Sequence, residues 1–277
     1  MDILLSTQII ATDKLLPRLE SLTIHIQTSE QLTYGLLFLT KSFNGTLVLS
    51  AGRTHPGFAA MTAFANLAAH RAPNLKSLDS HVPITYIARQ WLPSLKGLRS
   101  LALPSLHFDL SFLVTLSNLP VLDELNLRFM VSEIIPGSPI ASDSAQTHGR
   151  FKMLTRISIE GSQATYVLKL FPQGQIQSIK LVVAYVKETC QRDLKDLCNS
   201  VLRIGQHSLT SIRIVNHSTT TCTLGDLSTL TECLELQELE IHHLGRLSMD
   251  DQQVGKFTER LKKLQTIAIR GIKTESS

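Results

Sequence analysis

Aromatic side chains make up only 5% of the sequence, and Trp91 is the single tryptophan. Its expected role is a buried anchor rather than a ligand platform. Cysteine is equally sparse: Cys190, Cys198, Cys222 and Cys233 are separated by 8, 24 and 11 positions, with no Cys-x-x-Cys pair. That spacing supplies neither close zinc-ligand pairs nor a disulfide framework, so buried free thiols in a reducing compartment, cytoplasm or nucleus, are expected. Basic residues never run beyond the pair Lys262-Lys263, and 27 of them face 23 acidic residues for a net charge of +4. Nucleic acid and acidic membrane surfaces favour a concentrated basic face, so neither is the expected partner. No apolar run approaches the roughly 20 residues needed to span a bilayer. No basic segment precedes Ile3-Leu4-Leu5, so no export signal is read there, and the glycosylation patterns at Asn44 and Asn216 are taken as chance matches.

The signatures of catalysis are missing as well. Gly45, Gly52 and Gly57 form no phosphate-binding fingerprint, and there is neither a P-loop nor a Gly-x-Ser-x-Gly elbow. His242-His243 lacks the Glu and second His of a helical zinc site and reads as surface histidine. Asp250-Asp251 reads as a helix start, where negative charge is favoured, rather than a carboxylate pair. No catalytic residue, metal site or cofactor is therefore expected.

What the chain does have is self-similarity. A pattern of apolar-x-x-apolar-x-apolar returns at first positions 19, 44, 75, 98, 122, 154, 176, 209, 236 and 264, with a mean spacing of about 27 residues. Clear copies include Leu122-Leu125-Leu127, Ile176-Ile179-Leu181 and Leu236-Leu239-Ile241. Two are degraded: Asn44 opens the second copy, and Ser80 stands where the third copy should place an apolar residue. Residues two apart in a strand share a face, so the last two apolar positions point inward and their neighbours outward. Between copies the apolar spacing turns helical, as at Phe112, Leu113, Leu116 and Leu119. Pro17, Pro73, Pro93 and Pro120 mark the ends of the preceding helical segments. One strand-plus-helix unit cannot bury its own apolar face, so the copies must stack. The expected fold is an α/β leucine-rich-repeat solenoid, a horseshoe with a parallel sheet on the concave face and helices on the convex face. It is read as a single domain over 1–277 of about ten irregular repeats, with a flexible Pro/Gly/Ser-rich insertion at 131–150 between repeats five and six.

On such a sheet the outward positions are the candidate binding residues. In the charged half of the chain they are Glu124, Asn126 and Arg128, then Arg156, Ser158 and Glu160, then Lys180, Arg213, Glu238, Glu240, His242 and Arg270. As a row they suggest a surface that contacts a protein partner of unknown identity. Individually, residues such as Arg156, Glu160, Lys180 and Arg213 read more readily as solvating an exposed sheet and pairing across strands.

The strings LPRLESLTI (16–24), LPVLDELNLRF (119–129), FKMLTRISIEG (151–161), SLTSIRIV (208–215) and LQELEI (236–241) resemble the leucine-rich-repeat region of fungal F-box proteins. The segment 222–244, with Cys222, Leu227, Leu230 and Cys233 ahead of LELQELEIHHL, is similar to their cysteine-containing repeat. The resemblance implies non-enzymatic substrate recognition for a ubiquitin ligase, by repeats that normally follow an F-box. Only Met1 to Arg18 precede the first copy, so a gene product shortened of its F-box is expected, able to reach the ligase adaptor only with that element restored. A free-standing repeat module without a link to ubiquitin is the alternative.

Overall fold

A computed structural model describes residues 18–51, 58–82, 89–105, 110–129, 151–161, 164–169, 171, 173, 175–183, 190–217 and 221–272. The expected insertion at 131–150 lies outside the described residues. The chain divides into two compact units, one of residues 1–126 with 150–153, the other of 127–149 with 154–277.

In the first unit the strands are β1 (Ser21–Ile26), β2 (Thr46–Ala51), β3 (Ser77–Ser80) and β4 (Ser100–Ser105), with the opening residues of β5 (Glu124–Phe129). Helices α1 (Ser29–Phe38), α2 (Phe58–Arg71) and α3 (Leu110–Ser117) and a 3-10 turn at Leu92–Ser94 return the chain between them. β1 to β4 pair in parallel in sequence order, with Leu22, Leu47, Leu78 and Leu101 in register. Leu47, Leu78 and Leu101 are fully buried, as alternation requires. Ser80, in register with Leu49, is buried too. Its hydroxyl donates to the carbonyl of Val82 at 2.9 Å and accepts from the Val82 amide at 3.2 Å, so a polar atom fills an apolar position without going unsatisfied.

The second unit repeats the plan with β6 (Arg156–Glu160), α4 (Ala164–Leu168), β7 (Ser178–Val183), α5 (Cys190–Gly205) and β8 (Ser211–Asn216). It continues through β9 (Cys222–Thr223), α6 (Leu224–Leu227), a 3-10 turn at Ser228–Glu232, β10 (Glu238–Ser248), α7 (Asp251–Glu259) and β11 (Thr266–Ile272). Its parallel order is β6-β7-β8-β10-β11, and β9 pairs with the far end of β10. Ile157, Ile179, Ile212, Leu239 and Ile267 form one register row. The first four are at most 2% exposed, while Ile267 is 36% exposed, because β11 has a described neighbour on one side only.

A repeated backbone device locks the copies together. The residue just before a strand offers one carbonyl to two amides of the next repeat: Lys76 O accepts from Arg99 and Ser100 at 2.8 and 3.0 Å, and Gln177 O from Thr210 and Ser211 at 2.8 and 3.0 Å. At Gly45 this approach is so close that a Cβ would lie 2.0 Å from the Glu20 carbonyl oxygen. Side chains add a second tie on the helical side. Arg71 donates to the carbonyl of Leu36 near the end of α1 at 2.8 Å, and Arg203 to that of Leu168 at the end of α4 at 2.7 Å, satisfying carbonyls that a helix end leaves open. Partial burial lowers the pKa of Arg203.

Among the described residues that follow strands, His81 N bonds Leu49 O at 2.7 Å and His217 N bonds Val183 O at 2.8 Å. In α5, Leu194, Leu197, Cys198, Val201 and Ile204 recur at helical spacing and are buried. Cys198, Cys222 and Cys233 are free and buried; desolvation, then nearby carboxylates, pushes Cys222 and Cys233 up to about 12, and burial raises Cys198 further. Trp91 is buried, as its anchoring role requires. Asp250 caps α7, accepting from the Gln253 amide at 2.6 Å while Gln253 reaches back to the Asp250 amide. Among the described residues no helix is long and apolar enough to cross a membrane.

Candidate functional site

Strand alternation sorts the candidate residues by face before any contact is considered. In the first unit Glu124 and Asn126 flank the buried Leu125 and are partly exposed, as outward positions of β5 should be. The open face of that unit is otherwise small and mostly neutral, with Ser50 Oγ 2.6 Å from His25 Nδ1 and His81 Nε2 3.6 Å from Asp79 Oδ2.

The second unit carries the rest. Arg128 is partly exposed on β5, and Arg156, Ser158 and Glu160 flank the buried Ile157 and Ile159 on β6. The register then aligns three rows across β7, β8, β10 and β11. The lower row is Ser178, Ser211, Glu238 and Thr266; the middle one Lys180, Arg213, Glu240 and Ala268; the upper one Val182, Val215, His242 and Arg270. Thus Lys180, Arg213, Glu238, Glu240, His242 and Arg270, which lie up to 90 positions apart in sequence, share one face. Arg156, Ser158 and Glu160 adjoin it along β7, where Ser158 is in register with Lys180.

The middle and upper rows form a network around one carboxylate. Arg213 Nε lies 3.0 Å from Glu240 Oε2, and His242 Nε2 lies 2.6 Å from Glu240 Oε1. The hydrogen bond from His242 is the main reason the Glu240 carboxyl is held below its ordinary value; Arg213, His242 and Arg270 add favourable charge, and desolvation opposes them. By contrast, Lys180 and Glu238 carry no ion-pair partner among the described residues.

Between these charges lies a hollow of about 510 Å³, floored by the small residues Ser178, Ser211, Thr266 and Ala268 and walled by Lys180, Arg213, Glu238 and Glu240. Short side chains in register leave space above the backbone, and long charged ones stand around it. The arrangement can receive a polar segment of another molecule and pair with both signs of charge. It offers no nucleophile paired with a base, and among the described residues no group of three His, Cys, Asp or Glu side chains is placed to hold a metal ion.

Sequence reasoning placed the strand-opening serines Ser178 and Ser211 on the outward face with the charged residues, but did not foresee the hollow that they form with Thr266 and Ala268. The signal was present, since Ser178 and Ser211 open successive strands at the same repeat position. Of the two adjacent histidines only His242 lies on the open face, and His243 points the other way. It is 3% exposed, in register with the buried Asn216, because β10 runs on to Ser248 and carries His243 on the side of Leu239 and Ile241.

No protein-family model matches the chain, and no curated protein matches it. Among solved structures it is similar to the protein chain of a TLR13–ssRNA13 complex, at 15% identity and a TM-score of 0.44, over 94% of this chain and 40% of that one. It is also similar to the internalin InlF of Listeria monocytogenes, at 13% identity and a TM-score of 0.34, over 88% of this chain and 72% of that one. The chain therefore spans less than half of the TLR13 chain. What makes it an α/β leucine-rich-repeat fold is its own strand register and repeat length.

Proposed function

We propose that the chain is a non-enzymatic scaffold whose open sheet face in the second unit binds another protein. The observation that carries the reading is the hollow over Ser178, Ser211 and Thr266, set between Lys180 and Glu238, two opposite charges left without partners. A partner that supplies complementary charges would gain pairing that the free protein does not make internally, and such complementarity raises association rate and selectivity. Arg213, already held by Glu240, is preorganised to add a charge-assisted hydrogen bond to the same ligand. Arg128, Arg156, Ser158, Glu160 and Arg270 extend the surface within the second unit, and Glu124 and Asn126 are candidate positions on the first unit's own open face. Affinity purification with mass spectrometry identifies the partner, and Lys180→Glu with Arg213→Glu then tests the face. Binding of the purified partner should fall by about tenfold or more, the equivalent of about 1.4 kcal/mol; full binding by the double variant would refute the reading.

The finer reading is substrate recognition for a ubiquitin ligase of the F-box type, supported by the repeat strings and by the Cys222–Cys233 repeat. The reduced thiols suit a cytoplasmic or nuclear setting. A form extended by upstream coding sequence should bind the ligase adaptor while this chain alone should not. Absence of adaptor binding by both forms would remove the ubiquitin reading and leave the free-standing binding module.

A further inference from the structure

A second concavity lies in the first unit, away from the sheet face, at the edge where the chain enters the strands. It measures about 360 Å³ and brings together Lys76, Lys96, Arg99, Asn44 and Asn74 over Gly97. These residues come from three successive repeats. Lys76 and Arg99 occupy the same position, just ahead of β3 and β4, and the carbonyl of Lys76 accepts the Arg99 amide at 2.8 Å. Their backbones are therefore neighbours at about the interstrand spacing of 5 Å. Lys96 enters from the turn after Leu92–Ser94, its amide bonded to the Ser94 carbonyl at 3.1 Å.

Like charges directly opposite on adjacent strands repel, and a fold usually relieves them with a carboxylate. Here no carboxylate lines the hollow, although Asp123 follows Arg99 on the next rung of the same carbonyl ladder, its amide bonded to the Arg99 carbonyl at 2.8 Å. Lys76, Lys96 and Arg99 are all exposed, and none has a hydrogen-bonded or ionic side-chain partner among the described residues. The amide of Asn44 is likewise uncommitted, whereas Asn74 donates to the Lys41 carbonyl at 3.2 Å and retains its oxygen and one further N–H. Three converging cations with amide donors between them lack one thing, a compact group of at least two negative charges.

We propose that this hollow binds a phosphorylated serine or threonine of a partner protein. A phosphate monoester brings nearly two charges and three strong acceptor oxygens, enough for the Arg99 guanidinium and two ammonium groups at once. A carboxylate brings one charge and leaves the cluster unbalanced. The amides of Asn44 and Asn74, and the apolar Val121 that lines the same hollow, suit the peptide on either side of the phosphoresidue, which a bare anion would not use. The site belongs to the first unit alone and does not depend on the function proposed for the hollow of the second.

The test is fluorescence polarisation on the full chain with a labelled peptide Ala-Gly-phosphoserine-Gly-Ala and its unphosphorylated form. The phosphopeptide should bind about tenfold or more tightly than the serine peptide, and more weakly as salt rises. Lys76→Ala and Arg99→Ala should each weaken it by about tenfold, Lys76→Arg should retain binding, and Lys180→Ala should leave it unchanged. Thermal melting checks the fold, and Lys96→Ala serves as the alternative should either variant melt early. Equal binding of the two peptides, or binding indifferent to the Lys76, Lys96 and Arg99 substitutions, overturns the proposal. So does displacement by inorganic phosphate at the same concentration as unlabelled phosphopeptide, which marks a simple anion site, or stronger competition by single-stranded RNA, which marks a nucleic-acid surface.

Discussion

Replacing two adjacent residues of β8, Ile212 and Arg213, by alanine in separate variants separates the two faces of the sheet in one experiment. Ile212 is 1% exposed and sits in register between Ile179 and Leu239, themselves buried. Removing its outer carbons leaves a cavity that strands pinned by shared carbonyl bonds on both sides cannot collapse into. Large-to-small changes of this kind cost about 2–5 kcal/mol. Arg213 instead stands about half exposed, with one ion pair to Glu240, and losing such a pair costs about 0–1 kcal/mol. At about 2–4 °C per kcal/mol for chains of this size, Ile212→Ala should lower the midpoint by roughly 4–20 °C and Arg213→Ala by at most about 4 °C. Thermal unfolding followed by circular dichroism, with urea titration beside it, reads both. Equal shifts, or a larger shift for Arg213→Ala, would refute the alternation on which the site is built.

Gly45→Ala places a Cβ 2.0 Å from the Glu20 carbonyl oxygen, a backbone atom that cannot swing aside, so a loss of about 1–3 kcal/mol in urea unfolding is expected. Asp250→Ala removes the cap of α7 and should cost about 1 kcal/mol, with Asp250→Asn largely retaining stability in the same assay. Glu240→Gln tests the charge network. Because the folded pKa of Glu240 is depressed, its stabilisation is present above the ordinary carboxylate value near 4.3 and is lost as pH falls through the lowered folded value. The variant should therefore be less stable than the parent at neutral pH, by under about 1 kcal/mol for this partly exposed group, and equal to it in strong acid. Cys222 and Cys233, pushed up to about 12, should resist an aromatic disulfide reagent in the native state at pH 8 and react on unfolding; fast native reaction would contradict their burial.

The core was legible because it depends on local periodicity: Leu47, Leu78, Ile179 and Ile212 fall where the six-residue pattern puts them, and even Ser80 stood out as an exception to it. The burial of His243 follows from the same alternation, carried beyond the pattern. The pattern has a fixed length, whereas β10 extends over 11 residues, and parity along the longer strand carries the second histidine inward. The two hollows were harder to see because no local stretch contains them. Ser178, Ser211 and Thr266 meet only through register, and the chemistry of the hollow lies in short side chains rather than reactive ones. Lys76 and Arg99 belong to different repeats and come side by side only through the carbonyl ladder. A pattern in sequence reports which residues face inward; the shape of the outward surface is set by side-chain sizes on strands about 27 residues apart.

Site-specific photo-crosslinking probes the binding face most directly. A benzoylphenylalanine placed at Ser211, on the floor of the sheet hollow, is compared with one at Lys195, exposed on α5, each in the presence of the purified partner. Crosslinking from position 211 and none from 195 is the predicted result; crosslinking from 195 with none from 211 would place the partner on the helices and contradict the account.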